Sequence, residues 1–259
     1  MELGRLVTQF VSDFGICDFA ELAPHLLSCR AAARVPKNAK SVLVCLFPYR
    51  FEANEKRELS YYACVPDYHY AAGAVLDALV NALGQAYPAF SFVPFIDNSP
   101  IPEVYAAARA GLGRIGDHRL LIHPVYGSYV FIGEIVTDME LPATNAPLAY
   151  CEHCGACAAA CHGGCLPGED RTLCVSAISQ KKGELTTTEI ALLRKSGLVW
   201  GCDTCQEVCP HNKTAKIAPH PCFTEYIPTL VDPNDPCFPT RAYAWRGKVV
   251  PYRNKELLK

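Results

Sequence analysis

The chain has 259 residues, of which 50% are hydrophobic and 19% charged, with a formal net charge of −2. That composition fills one large or two smaller domains with a real core; it excludes a disordered chain and a surface that binds polyanions all over. Fifteen cysteines, most of them bunched, argue for metal in a reducing compartment and against a secreted disulfide framework. The opening Met-Glu-Leu-Gly-Arg has neither a leader pattern nor a twin arginine, and no apolar run reaches bilayer length, so a cytoplasmic protein without a membrane partner is expected.

Leu3, Leu6, Val7, Phe10, Val11 and Phe14 recur at helical spacing and predict an N-terminal helix that Gly15 ends. Ser41 to Phe47 reads as a central strand, and residues 50 to 60, charged and aperiodic, as an exposed loop. Val75, Leu76, Leu79 and Leu83 predict a second helix from His69 to Ala86, with Asp67 at its N-cap. Phe90 to Ile96 reads as a strand whose Pro94 puts it at an edge or bulge. Pro102 can then start a helix running to Ala110. Gly111, Gly113 and Gly116 follow a helix, which is the wrong context for a dinucleotide fingerprint; they suit close backbone packing near a ligand, or a turn. Arg119 to His123 and Ser128 to Thr137 predict a hairpin, and Pro142 to Pro147 a linker. A capping box, Thr186 with Glu189, starts a helix to about Lys195. Residues 217 to 240, rich in proline, should wrap as irregular chain. The last nineteen residues carry six basic side chains against Glu256, with Tyr243, Trp245 and Tyr252 interleaved, as in an RNA-contacting tail or a solvated basic terminus.

The chemistry concentrates between Cys151 and Pro210. Cys151, Cys154, Cys157 and Cys161 are spaced C-x2-C-x2-C-x3-C, Cys174 follows, and Cys202, Cys205 and Cys209 close the block before Pro210. Eight thiolates suffice for two four-iron clusters, and in two-cluster ferredoxins the last cysteine of each run ligates the other cluster. Crossing then groups Cys151, Cys154, Cys157 and Cys209 on one cluster and Cys161, Cys174, Cys202 and Cys205 on the second. Two zinc sites are the alternative, which x2, x2, x3 spacing and the Cys-Pro ending disfavour. Cys161 is followed by His162, not Pro, so Cys165 competes with it as a ligand. Most of the other seven cysteines, Cys17, Cys29, Cys45, Cys64, Cys165, Cys222 and Cys237, read as small buried apolar residues.

Several separated stretches resemble one family. FIDNSPIPE at 95 to 103, AGLGRIGDHRLLI at 110 to 122, GSYVFIGEI at 127 to 135, and the cysteine block with RTLCVSAISQ and GCDTCQEVCPHN together are similar to epoxyqueuosine reductases. The resemblance implies an α+β fold: a nitroreductase-like cobalamin-binding domain over 1 to 145, a ferredoxin-like domain with two [4Fe-4S] clusters over 146 to 215, and a wrapping segment with a basic tail over 216 to 259. It implies a cytoplasmic oxidoreductase that reduces epoxyqueuosine to queuosine in tRNA, supplied by a flavodoxin or ferredoxin-type donor and not bound to DNA. Asp97 matches the catalytic acid, and at the end of an apolar strand burial would raise its pKa and keep it protonated; an Asx-turn residue before Ser-Pro is the plainer reading. Tyr68 and His69 match positions beside the corrinoid, and Gly111, Gly113 and Ser128 join the cofactor contacts. The chain departs from the family in Tyr61-Tyr62-Ala63-Cys64-Val65-Pro66, which lacks the usual Arg and Gly, in the missing Cys-Pro after the first cysteine run, and in stopping without room for the C-terminal helical-repeat extension that grips tRNA. Rival readings are a corrinoid reductase of a small molecule, similar to reductive dehalogenases, an electron carrier that reactivates another protein's corrinoid, and a zinc-bearing nucleic-acid module.

Overall fold

The computed structural model describes residues 2–53, 56–224, 229–232 and 234–259. After helix α1 (Glu2–Val7), strands β1 (Asp13–Asp18), β2 (Ser41–Pro48), β3 (Phe92–Ile96) and β6 (Val130–Thr137) form one antiparallel sheet in the order β1-β2-β6-β3. The short helices α2 (Phe19–Leu22) and α3 (Tyr61–Cys64) and the longer α4 (Tyr68–Ala86) and α5 (Glu103–Arg109) surround it, and β4 (Arg114–Ile115) pairs with β5 (Leu121–Ile122) apart from it. Alternation divides β2 between two cores. Leu43, Cys45 and Phe47 face α4 with Leu76, Leu79 and Leu83, while Val42, Val44 and Leu46 face α5 with Ala106 and Ala107. Burial on both faces is why β2 reads as an unbroken apolar run, and each leucine so covered contributes roughly 1.5–3 kcal/mol.

The α4 face comes close enough to need a glycine. A Cβ on Gly133 would stand 2.6 Å from Leu76 Cδ1 and 3.3 Å from the Phe47 ring. Pro94 lies on β3, which pairs only with β6 and so is an edge, where a missing N–H is tolerated.

Three sequence expectations are corrected here. The first helix ends at Val7, well before Gly15, because residues 13–18 are captured as a strand by β2; sheet pairing overrides a helical period that the sequence carries. The hairpin of 119–123 with 128–137 does not form. Only His123 and Gly127 bridge, and β6 instead enters the main sheet between β2 and β3. The loop over 50–60 is not wholly exposed: Leu59 and Ser60 are buried, and Arg57 turns inward; residues 54 and 55 lie outside the described residues.

The cysteine segment carries helices α6 (Ala156–Ala160), α7 (Val175–Gln180), α8 (Thr187–Ser196) and α9 (Thr204–Glu207). The Thr186–Glu189 capping box is present at the start of α8, and Gly197 closes that helix in the left-handed conformation. The last segment winds back over the α4 core, contributing Phe223, Phe238, Tyr243 and Val250; its residues 225–228 and 233 lie outside the described residues. It ends in helix α10 (Val249–Leu257), which the sequence reading left as a tail. Three of its basic side chains reach inward, while Lys248 and Lys259 are exposed. Arg241 is 1% exposed and donates to Asp235, Arg253 donates to the Lys181 carbonyl, Lys255 pairs with Glu58, and the buried Asn254 amide spans the carbonyls of Ser179 and Val199. The basic terminus is a clasp across α7 and the 50–60 loop.

A buried ion pair ties the N-terminal part to the cysteine segment. Arg57 Nη1 lies 2.7 Å from Asp203 Oδ2, which also accepts the Tyr61 N–H at 2.9 Å, with the two side chains 12% and 1% exposed. Removing one partner of such a pair strands the other charge. Arg57→Met is therefore expected to destabilise the fold by about 3 kcal/mol, read as a lower urea midpoint at an unchanged denaturant slope.

Candidate functional site: a cleft between two cysteine sets and the sheet

The eight cysteines separate in space into two groups. Cys151, Cys154, Cys157 and Cys209 line one small cavity with Gly116 and Pro210. Cys161, Cys174, Cys202 and Cys205, with Cys165, line one wall of a larger cleft. Local backbone explains the first loop: His153 and Gly155 both take positive φ, +51° and +74°, which curls the chain around a central space. Backbone N–H groups point at sulfur in both sets, from Asp117 to Cys151 Sγ at 3.4 Å and from Cys165 to Cys161 Sγ at 3.3 Å. The Cys165 thiol itself is turned to the Gly163 carbonyl at 3.8 Å. Burial, then the neighbouring Cys202 and Cys174, pushes the Cys205 thiol up to about 12. Sulfurs gathered this way ionise together only around a strong cationic centre, so the donor set fits two iron–sulfur clusters.

The cleft encloses about 300 Å³ and, counted out to its open mouth, about 1330 Å³. It lies between the second cysteine set and the sheet, with a wall of mainly apolar residues, including Leu121, Val130, Phe131 and Ile132. An apolar slot open at one edge, with a redox centre on one side, fits a large flat macrocycle such as a corrinoid. Tyr68 stacks on Phe131, ring centroids 4.3 Å apart and 3° from parallel, and forms part of the wall.

The start of α4 builds a polar cluster beside the cleft, next to the lining residues Tyr68 and Glu103; His69 and Asp97 are not themselves among the lining residues. Asp67 Oδ1 accepts the His69 backbone N–H at 3.0 Å as an N-cap and also lies 2.6 Å from His69 Nδ1. The ring's other nitrogen, Nε2, lies 3.1 Å from Asp97 Oδ2. With a carboxylate at each nitrogen, both ring nitrogens act as donors, and those two hydrogen bonds, Asp67 first, raise His69 to about 9. The same contact holds the Asp97 carboxyl below its ordinary range. The expectation that burial keeps Asp97 protonated is therefore corrected. Its side chain is 60% exposed and faces a cation, so the proton resides on His69. Asp97 also takes φ +56°, a left-handed conformation uncommon outside glycine.

Other expected residues are placed differently. Ser128 lines the cleft but is 2% exposed and committed to the junction: its N–H donates to Asn212 Oδ1 at 2.8 Å, and its oxygens accept from Gln206 and Asn212. The adjoining Gly127, at φ +59°, admits Asn212 because a Cβ there would lie 2.0 Å from its Oδ1. Gly111 and Gly113 do not reach the cleft. They pack instead against Thr144 and the Ile122 carbonyl.

Three residues at the site were missed by sequence reading. Glu103, first residue of α5, lines the cleft and accepts the Asp97 backbone N–H at 3.1 Å. Glu134 is fully buried in β6 between Val44 and Phe95; its signal was a lone acid inside an apolar strand. His118, 4% exposed, borders both the small cavity and the cleft, and its Nδ1 accepts the Leu120 N–H at 3.3 Å.

An α+β sheet joined to two cysteine-lined cavities defines an iron–sulfur protein with two cluster sites, and a 4Fe-4S double cluster binding domain profile matches residues 150–212. A second profile, epoxyqueuosine reductase QueG, DUF1730, matches residues 30–98. The epoxyqueuosine reductase of Lactococcus garvieae is 30% identical over 241 residues, covering 84% of this chain and 68% of that one. That of Pseudomonas aeruginosa is 36% identical over 169 residues, covering 62% of this chain and 46% of the relative. The solved epoxyqueuosine reductase of Streptococcus thermophilus superposes with a TM-score of 0.80 at 21% identity, over 99% of this chain and 80% of its own. A second, described as epoxyqueuosine reductase with an epoxyqueuosine-modified tRNA-Tyr stem loop, gives 0.80 at 23%, with the same two coverages. This chain belongs to the epoxyqueuosine reductase family. It spans about half the length of several of the curated relatives it matches. No helix among the described residues is long and apolar enough to cross a membrane.

The His69 assignment has a pH signature. Its folded pKa lies above the free value, so the stability from its carboxylate contacts is complete below about 6.5 and is lost as pH rises through about 9. Following the His69 ring proton by NMR should give a midpoint near 9, and Asp97→Asn should lower it.

Proposed function

We propose that this chain reduces the epoxide of epoxyqueuosine in tRNA to the alkene of queuosine, using a corrinoid in the cleft and two [4Fe-4S] clusters. The observation that carries the reading is the cleft itself: one cysteine set lines one side, and the Asp97–His69 pair adjoins it through Glu103 and Tyr68. Family membership supports it, as does the modified tRNA stem loop bound by a solved relative of the same fold.

In this reading residues 1 to 145 form the nitroreductase-like, corrinoid-binding part, 146 to 215 the ferredoxin-like part and 216 to 259 the clasp. Cys151, Cys154, Cys157 and Cys209 hold one cluster, and Cys161, Cys174, Cys202 and Cys205 the other. Cys161 is preferred to Cys165 because its sulfur receives a backbone N–H while the Cys165 thiol faces a carbonyl. Electrons arrive singly from a flavodoxin or ferredoxin-type donor in the cytoplasm. When bound, the corrinoid supplies a low-potential nucleophilic metal centre facing the substrate. Phe131 and Tyr68 exclude water from its side of the cleft and give it a flat apolar surface. His69 stores a proton, Asp67 orients the ring, and Asp97 passes that proton to the departing oxygen.

Anaerobic reconstitution should give about eight irons per chain together with one corrinoid, and conversion of epoxyqueuosine-containing tRNA. Iron without corrinoid uptake would leave an electron carrier instead. Asp97→Asn is expected to slow turnover by about 100-fold or more without changing cluster content; undiminished turnover would remove Asp97 from the mechanism. Cys161→Ser should lose one cluster's electron paramagnetic resonance signal, whereas Cys165→Ser should keep both.

A further inference from the structure

Epoxide deoxygenation has a proton balance that the Asp97–His69 pair does not meet. Both carbon–oxygen bonds of the epoxide break, a carbon–carbon π bond forms, two electrons enter from the donor named above, and the oxygen leaves as water. Water formation consumes two protons. Asp67, His69 and Asp97 share one transferable proton, on the imidazolium, because each ring nitrogen already faces a carboxylate.

A second acid stands beside them. Glu103 lines the cleft, and its Oε1 accepts the backbone N–H of Asp97 at 3.1 Å, so its carboxyl stands beside Asp97 and faces the cleft itself. On the α5 face of the sheet, Glu134 is fully buried in the middle of β6, and the Glu103 charge bears on it. A carboxyl that lines a mainly apolar cleft beside the Asp97 carboxylate is poorly placed to carry a second negative charge. A stored proton at this wall of the cleft follows.

We propose that Glu103 is the second proton donor of the reaction, delivering one of the two protons that convert the epoxide oxygen to water. The proposal rests on the deoxygenation reading above. Burial, followed by the Asp97 charge, raises the Glu103 carboxyl to about 8, and burial raises Glu134 well above the carboxylate range. The charged groups acting on Glu103 are Asp97 from the end of β3 and His69 from α4, and Glu103 in turn acts on Glu134 in β6; burial holds the Tyr68 hydroxyl far above its ordinary range and so makes it a weaker acid than Glu103. Glu103 is thus an acid that is loaded at pH 7 and is reloaded from solvent through the cleft mouth between turnovers.

The test is Glu103→Gln in the full chain loaded with clusters and cobalamin. Glutamine keeps an oxygen for the Asp97 N–H but carries no acidic proton. Single turnover of pre-reduced protein with epoxyqueuosine-containing tRNA should slow by about 100-fold, with iron and cobalt content unchanged. Glu103→Ala should be slowed likewise and partly restored by added formate, a rescue that a purely structural role would not show. Infrared spectra of the cofactor-free protein near neutral pH should lose one protonated-carboxyl stretch in Glu103→Gln and keep that of Glu134. Should the glutamine variant fail to load its cofactors, Glu103→Asp, which keeps an acidic proton at shorter reach, must turn over faster than Glu103→Ala; equal rates overturn the assignment. Wild-type conversion with full-speed variants, or an unchanged infrared band, overturns the Glu103 assignment alone. A wild-type protein that binds both metals and leaves the epoxide intact overturns the deoxygenation reading and this assignment with it.

Discussion

The junction around Ser128, Gln206 and Asn212 is the constraint on which the rest depends. Ser128 stands just before the central strand β6, and Gln206 and Asn212 bracket Cys209, so their hydrogen bonds fix the sheet against both cysteine sets at once. A cleft one wall of which is a redox centre and the other a sheet works only if the two walls keep their spacing. Buried amide-to-hydroxyl bonds suit that task, because slipping would leave several polar groups unsatisfied in a dry interface. The Arg57–Asp203 pair adds a charged tie at the same boundary, and the α10 clasp holds its far side.

The polar cluster beside the cleft illustrates how one residue can serve both fold and chemistry. Asp67 caps α4, a local need of any helix start, and the same oxygen sets the tautomer and charge of His69. Helix geometry places the His69 ring beside its own cap, and the edge strand β3 delivers Asp97 to the ring's other nitrogen. The outcome inverts the simplest expectation for a catalytic carboxyl. Asp97 is the exposed, ionised member, while the neutral acids are Glu103 and Glu134, which sit deeper. Environment, not residue type, decides which carboxyl carries a proton.

Much of this was legible in the chain. The strand at 41–48, the helix at 68–86 with its Asp67 cap, the edge position of Pro94 and the Thr186–Glu189 capping box all follow from local rules, since each depends on neighbours within one helical turn or one strand. The cysteines line two cavities in the same grouping that the crossing pattern predicts, with Cys165 beside the second group; a C-x2-C loop leaves little freedom in where its sulfurs point. The first helix and the 119–137 hairpin were misread because what decided them was a partner strand distant in sequence.

The sequence by itself determined the kinds of groups present: thiolates spaced for two clusters, a sheet-and-helix scaffold, and candidate polar residues at Asp97 and His69 whose adjacency it did not show. Only the tertiary structure decided where the protons and contacts lie. Gly111 and Gly113 turned out to serve packing, Ser128 the junction, and the basic terminus an inward clasp. Ligand spacing is a property of a few adjacent bonds, whereas protonation depends on burial and on charges brought together from α4, β3, α5 and β6, elements that the chain places far apart.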